Sequence, residues 1–209
     1  MNELDDLLTP ENCLFVFVDL QAGLAFATES ISRQSLINNA VALAKTAVAF
    51  SVPMILTTSA TKVYSGPVLD AVKAVLPDTP VFERRSMNAW EDDATRDAVT
   101  KAGRQKLIFC GMLTEACISF PVLSSIRAGY EPYVVTDACG GSSPTSHEAA
   151  LSRMAHKGAQ LTSWIQVVLE LQRDWTRKET YAPVRAVIEE NGGGYGIGLR
   201  YASHMLPKP

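Results

Sequence analysis

The sequence predicts an α/β protein: a single domain with a doubly wound, six-stranded parallel sheet and helices on both faces. Three observations carry this expectation. Short apolar, β-favouring runs alternate regularly with segments of helical periodicity. The strongest runs are apolar at almost every position, as strands covered on both faces require. Charged or reactive residues close several of these runs, at what would be one edge of the sheet.

In chain order, residues 1–11 are polar and Pro-broken, a short lead-in. Residues 13–20 read as a central strand, closed by Asp19, and residues 31–50 follow as a helix with Leu36, Ala40, Leu43, Ala44 and Ala47 on its apolar stripe. Residues 53–58 form a second strand. A loop around Tyr64 precedes a helix near residues 68–75, and residues 80–83 form a short third strand. The stretch from Arg84 to Trp90 is a loop with two cations and an aromatic, followed by a helix over 92–101. After a fourth strand over 106–110, a helix runs to about Arg127 and stops at Gly129. Residues 132–136 are the fifth strand and 137–143 a Gly/Ser-rich loop. Thr145-Ser-His-Glu148 reads as a capping box opening a helix that ends at Gly158. Residues 160–162 give a short sixth strand and 163–174 a last helix. The domain is therefore drawn over 1–176. The polar, glycine-rich remainder, 177–209, is a tail without a core of its own, expected to wrap the domain or a neighbouring subunit. Its glycines, 192–198, lack a preceding strand and a following helix, so they are not a phosphate loop.

The chemistry centres on Leu107-Ile-Phe-Cys-Gly-Met-Leu-Thr-Glu-Ala-Cys117. Gly111 allows a sharp turn after the strand, and Thr114 and Glu115 suit a helix start. Cys117 then falls near the first helical turn, where the helix dipole favours thiolate. Pro121 lacks the amide that would bond back to the Cys117 carbonyl, so the helix either starts near Phe120 or is distorted beside the thiol. A small buried hydrophobe is the competing reading of Cys117.

Composition narrows the classes. A net charge of −3 and a pI near 5.6 argue against a nucleic-acid binder. No apolar run is long enough for a membrane span, and the acidic N-terminal residues do not resemble a secretory signal. The four cysteines, without a C-x-x-C pair, fit a reducing cytoplasm. His147, His156 and His204 lie away from the strand ends that would build a metal site, and His156 fits a helix C-terminus. Cys139 is expected on the rim of the site as an inert residue. Trp90 and Tyr64 would line a pocket or pack at an interface.

Asp19, the pair Arg84 and Arg85, and Cys117 all fall at carboxyl ends of strands, so an acid, a cation and a thiol converge on the edge where doubly wound sheets bind ligands. Such a set can divide the work of acyl transfer. At these residues the chain resembles the isochorismatase-like cysteine hydrolases. Val16-Phe-Val-Asp19-Leu-Gln21 resembles their opening strand, Cys110 to Cys117 their nucleophile segment, and Val135-Thr-Asp-Ala138 their next strand end. Ile55 to Ser59, Pro77 to Pro80, Asn88-Ala-Trp90 and Glu170 to Trp175 resemble the YcaC-like branch, in order over about 13–175.

The resemblance implies an Asp-Lys-Cys triad, with Asp19 as general base and Cys117 as nucleophile. It also implies a cis peptide at Leu113–Thr114, and the amides of Thr114 and Cys117 become candidates for an oxyanion hole. Where many members carry lysine this chain has Arg84, the triad cation the resemblance implies, with Arg85 beside it as the alternative; arginine stabilises charge without donating a proton. Gln21, Arg85, Asn88 and Trp90 are pocket candidates. No cofactor is implied, and Thr57-Thr-Ser-Ala-Thr stands where the zinc-binding nicotinamidases carry their ligands, so no metal is expected. The expected substrate is a small amide or related acyl compound, and the expected assembly a homo-oligomer. The arginine keeps open a catalytically silent binding or scaffold member of the same fold. An NAD-dependent reductase is set aside, because Asp19-Leu-Gln-Ala-Gly replaces the glycine-rich turn it needs.

Overall fold

The computed structural model describes residues 7–206, so the acidic start of the lead-in lies outside the described residues. Six parallel strands form one sheet: β1 (Cys13–Val18), β2 (Met54–Ser59), β3 (Val81–Arg84), β4 (Lys106–Met112), β5 (Glu131–Gly140) and β6 (Gln160–Thr162). Their order across the sheet is β3-β2-β1-β4-β5-β6. The chain therefore reverses its direction of winding between β1 and β4, and the crevice beyond those two carboxyl ends is where this architecture receives ligands.

The near-continuous apolarity of β1 has a simple cause. Cys13, Phe15 and Phe17 point into one core, with α2 (Arg33–Ala49), α3 (Asp70–Val75), α7 (Trp164–Gln172) and α8 (Lys178–Asn191). Leu14, Val16 and Val18 point into the other, with α4 (Asp93–Ala102), α5 (Ser119–Arg127) and α6 (Pro144–His156). Both faces are covered, so no position can be polar. Each large side chain such as Phe17, fully buried, contributes about 1.5–3 kcal/mol. The short α1 (Ala22–Phe26) follows β1 directly. No helix among the described residues is long and apolar enough to cross a membrane.

Four expectations need correction. Gly111 is not the turn: it lies within β4, at φ 137°, where an added Cβ would meet the Val18 carbonyl oxygen at 1.8 Å. Its use is the close approach of β4 to the end of β1. β5 continues through Gly140, because Cys139 and Gly140 pair with Gly111 and Met112. The cap of α6 is Ser143, whose hydroxyl accepts from the Ser146 amide, with Pro144 at the first helical position. The Thr145–Glu148 box therefore lies inside the helix. The segment after 177 is helical: α8 buries Val184, Val187 and Ile188 in the core, despite Pro183 within it. A second helix, α9 (Gly194–Met205), packs on α8 through Gly196, where a Cβ would meet the Ile188 carbonyl oxygen at 2.5 Å. The glycines that looked like a loop permit this helix contact.

Candidate active site

Asp19 follows β1 in the left-handed region, φ 51°, a conformation that Asp adopts more readily than most residues. Its amide donates to the Thr57 carbonyl at 3.0 Å and its carbonyl accepts from Gln21 at 2.8 Å, fixing a tight turn across the strand ends. The carboxylate is fully buried and saturated. Arg84 Nη1 donates to Oδ1 at 2.6 Å and Nη2 to Oδ2 at 2.9 Å, a two-pronged ion pair. Ser59 Oγ donates to Oδ2 at 2.9 Å and Thr57 Oγ1 more weakly to Oδ1 at 3.5 Å. Arg84 also donates to the Met87 carbonyl at 3.2 Å, while its buried Nε has no hydrogen-bond partner among the described residues.

Of the two adjacent arginines, Arg84 reaches Asp19; Arg85 is exposed. Alternation along β3 explains the choice, because neighbouring residues of a strand point to opposite sides.

Cys117 stands on a π-helical turn, Thr114–Ile118, between β4 and α5. The regular helix begins at Ser119, two residues before Pro121, and the distortion expected beside the thiol is this wide turn. Cys117 is buried, and its thiol lies under the influence of both the Asp19 carboxylate and the Arg84 guanidinium. Burial, then the charge of Asp19 and its hydrogen bond, push the thiol up to about 11; Arg84 and the Leu113 amide pull the other way. These causes run against the thiolate expected from the helix dipole. Both prongs of Arg84 are spent on Asp19, so the sulfur feels the carboxylate more than the guanidinium. Cys117 is still the least perturbed of the four thiols. Burial carries Cys13 and Cys139 to about 12 and Cys110 well above its ordinary value.

The cis peptide lies between Met112 and Leu113, one bond earlier than expected. β4 keeps its pairing with β5 through Met112, so the chain leaves the sheet there rather than at Thr114.

The pocket candidates separate. Gln21 is fully buried and committed: Nε2 donates to the Ser59 and Gly66 carbonyls at 3.1 and 2.5 Å, and Oε1 accepts from the Ser59 amide at 3.0 Å. It braces the end of β2. Asn88 caps the following turn through the Trp90 amide and donates to Ser124 Oγ at 3.1 Å. Trp90 packs edge-on against Tyr130 in the second core. Tyr64 is exposed. Cys139 is wholly buried within β5, not on a rim, its sulfur 3.9 Å from the Phe109 carbonyl oxygen.

One residue was passed over. His147, in the first turns of α6, has Nδ1 2.8 Å from Thr114 Oγ1, at the start of the turn that carries Cys117. His156, by contrast, ends α6 as expected, with Nδ1 2.7 Å from the Ser152 carbonyl oxygen. No group of three or more His, Cys, Asp and Glu among the described residues is arranged to hold a metal ion.

Comparison with known proteins gives this geometry its relatives. The Isochorismatase domain family model matches residues 13–166. The Escherichia coli protein named "Probable hydrolase YcaC" is 39% identical over 169 residues, covering 80% of this chain and 81% of that protein. The E. coli YcaC crystal structure superposes with a TM-score of 0.91 over 96% of this chain and 98% of that one, at 34% identity. YcaC from Pseudomonas aeruginosa gives 0.90 over 95% and 98%, also at 34%. A ribonuclease structure from Caenorhabditis elegans, at 22% identity and a TM-score of 0.82, shares the fold. The chain belongs to the isochorismatase family of hydrolases, on its YcaC-like branch.

Proposed function

We propose that this chain is a metal-independent cysteine hydrolase that cleaves a small amide or related acyl compound through a thioester on Cys117. The observation that carries the reading is the set of buried groups at the strand ends: Cys117, the Asp19 carboxylate whose charge acts on its thiol, and Arg84, which grips Asp19. As the sulfur attacks the substrate carbonyl carbon, its proton passes to Asp19, and the carbonyl π electrons move to oxygen. The amides of Thr114 and Cys117 receive that oxyanion. Collapse re-forms the carbonyl and expels the amine, which takes the proton from Asp19. A water then gives a proton to Asp19 and attacks the thioester; collapse releases the acid, and the proton returns to the sulfur.

Arg84 plays no part in the proton traffic, since a guanidinium does not deprotonate near neutrality. It holds the carboxylate in place. The structure of the P. aeruginosa relative carries covalent acrylamide. Acrylamide alkylates nucleophiles at its alkene and keeps its amide intact, so the adduct supports a reactive nucleophile in that relative, which we extend to this chain. The test is ammonia release from a panel of small amides, with Cys117→Ala as the control: release by the wild type and none by the variant.

A second reading rests on a specific observation. Asp19 accepts four side-chain hydrogen bonds from Arg84, Ser59 and Thr57, a network that holds the carboxylate as a fixed structural anion. A binding member of the family would need no more. Ligand protection of Cys117 from alkylation without turnover of any amide would identify it.

The E. coli relative is an octameric hydrolase, and we extend homo-oligomerisation to this chain. α9 leaves Ile197, Tyr201 and Met205 exposed, whereas α8 buries its apolar face. Deleting residues after 193 should weaken assembly in sedimentation while the domain still melts cooperatively; deleting residues after 176 should unfold it.

A further inference from the structure

The turn that carries Cys117 is held from two directions. Arg84, Asp19 and the strand ends account for one; α6 and the loop before it account for the other. Thr114 is fully buried at the head of the turn, and its hydroxyl meets His147 Nδ1 at 2.8 Å. One residue on, Glu115 Oε1 accepts from the Ser142 amide at 3.0 Å and from the Ser142 hydroxyl. Between these ties sits Gly141, where an added Cβ would lie 2.9 Å from both Glu115 Oε2 and the His147 Cβ. The loop needs glycine there to let α6 close on the turn. Ser143 and Pro144 then set the start of α6, placing His147 one turn into the helix and facing Thr114.

We propose that His147 is a positioning residue for the nucleophile: it fixes the Thr114 side chain, and through it the run of amides from Thr114 to Cys117. The proposal deepens the hydrolase reading and rests on Cys117 being its nucleophile. The interaction is between neutral groups. Burial holds His147 below its ordinary value, against the opposing charges of Glu115 and Glu148, so the ring is uncharged at neutral pH. A neutral imidazole either accepts the Thr114 hydroxyl proton at Nδ1 or donates from it. Either way, the first atom beyond the ring's attachment carbon does the work. Asparagine can place a polar atom there; glutamine places it one carbon further out, and leucine offers none.

The geometry points to a catalytic effect by displacement of the turn rather than by contact with substrate. Losing the tie should lower kcat by about 10- to 100-fold, because small misplacements of a nucleophile and its oxyanion donors cost that much. KM should stay within about threefold of wild type. A loosened turn should also relieve the burial of the thiol, so Cys117 should alkylate faster at neutral pH while catalysing more slowly.

The experiment compares His147→Leu, His147→Asn, His147→Gln, Thr114→Val and the Thr114→Val/His147→Leu pair. It measures kcat and KM on the best amide of the panel, the rate of iodoacetamide alkylation at Cys117, and the thermal midpoint. The account predicts that Asn retains most of wild-type kcat, that Gln retains less, and that Leu loses it. The double variant should lose no more than the worse single, because His147 acts through Thr114. Wild-type kcat in His147→Leu, losses that multiply in the double variant, or Asn as damaging as Leu would each overturn the assignment. If His147→Leu does not fold, Asn against Gln carries the test alone. If no amide is turned over, the alkylation series still reads the turn: wild type and Asn slow, Leu and Val fast. Equal rates throughout would overturn the positioning role, whatever becomes of the hydrolase reading.

Discussion

The sheet side of the Cys117 turn is fully buried and the α6 side only partly, and they use opposite chemistry. On the sheet side, Asp19 and Arg84 form a fully buried ion pair joining residues 65 positions apart. On the α6 side, Thr114 and His147 share one hydrogen bond between neutral groups 33 positions apart. An ion pair in that setting is held by mutual dependence: remove one partner and the other is left charged and unsolvated. The neutral tie tolerates loss far better, and a polar isostere can replace it. The comparison assigns charge handling to one side and placement of the turn to the other.

The largest effect should come from breaking the ion pair. Arg84→Met leaves Asp19 buried without its partner and should cost about 3–5 kcal/mol of stability, measured by urea unfolding. It should also raise the Cys117 thiol further, since Arg84 is the charge that lowers it. Activity should fall by ~100-fold or more. Arg84→Lys should keep part of both, with one ammonium in place of two prongs. Arg85→Met, at an exposed position, should change neither; a large loss there would shift the ionic role to the wrong arginine.

Gly111 sets the distance between the sheet edge and the turn, so Gly111→Ala strikes both sides at once. A Cβ 1.8 Å from the Val18 carbonyl oxygen forces β4 away from β1, with a cost of roughly 3 kcal/mol or more in the same assay.

The smallest effect is a pH slope. His147 is held below its ordinary 6.5, so the unfolded chain binds more protons than the native one as pH falls below that value. Its contribution to stability is full above 6.5 and is lost as pH falls through the lowered folded value. His147→Asn removes the titrating group. Its thermal midpoint should therefore fall less steeply than wild type below pH 6.5, while kcat at neutral pH is mostly retained.

This asymmetry also explains what could be read in the sequence. β1 and β4 were legible because strands covered on both faces must be apolar throughout, and Asp19 stood out for ending such a run. Arg84 followed from the carboxyl edge of β3, although only the alternation seen in the folded strand chose it over Arg85. Cys117 was located, but its ionisation was not. The dipole argument looked along the chain, whereas the dominant causes are burial and a carboxylate from another strand. His147 was missed because its signal is tertiary: a helix capped two residues earlier than the obvious box, and a loop closed over Gly141. A cap at Ser143 with Pro144 behind it was the one available clue. The C-terminal helices were obscured by Pro183 and by glycines that serve helix contact, which in sequence look the same as glycines that serve a loop.

The central claim is that Cys117 rests as a thiol, kept protonated by burial and by the charge of Asp19. Its most direct test is the pH dependence of iodoacetamide alkylation at Cys117, followed by peptide mapping in the wild type and in Asp19→Asn. The wild-type profile should have its midpoint near 11, because burial and Asp19 outweigh Arg84. Asp19→Asn removes the charge that raises the thiol and frees Arg84 to lower it, so the midpoint should move down. A wild-type midpoint at or below the ordinary value of 9.0, or one that stays in place in Asp19→Asn, would contradict the account.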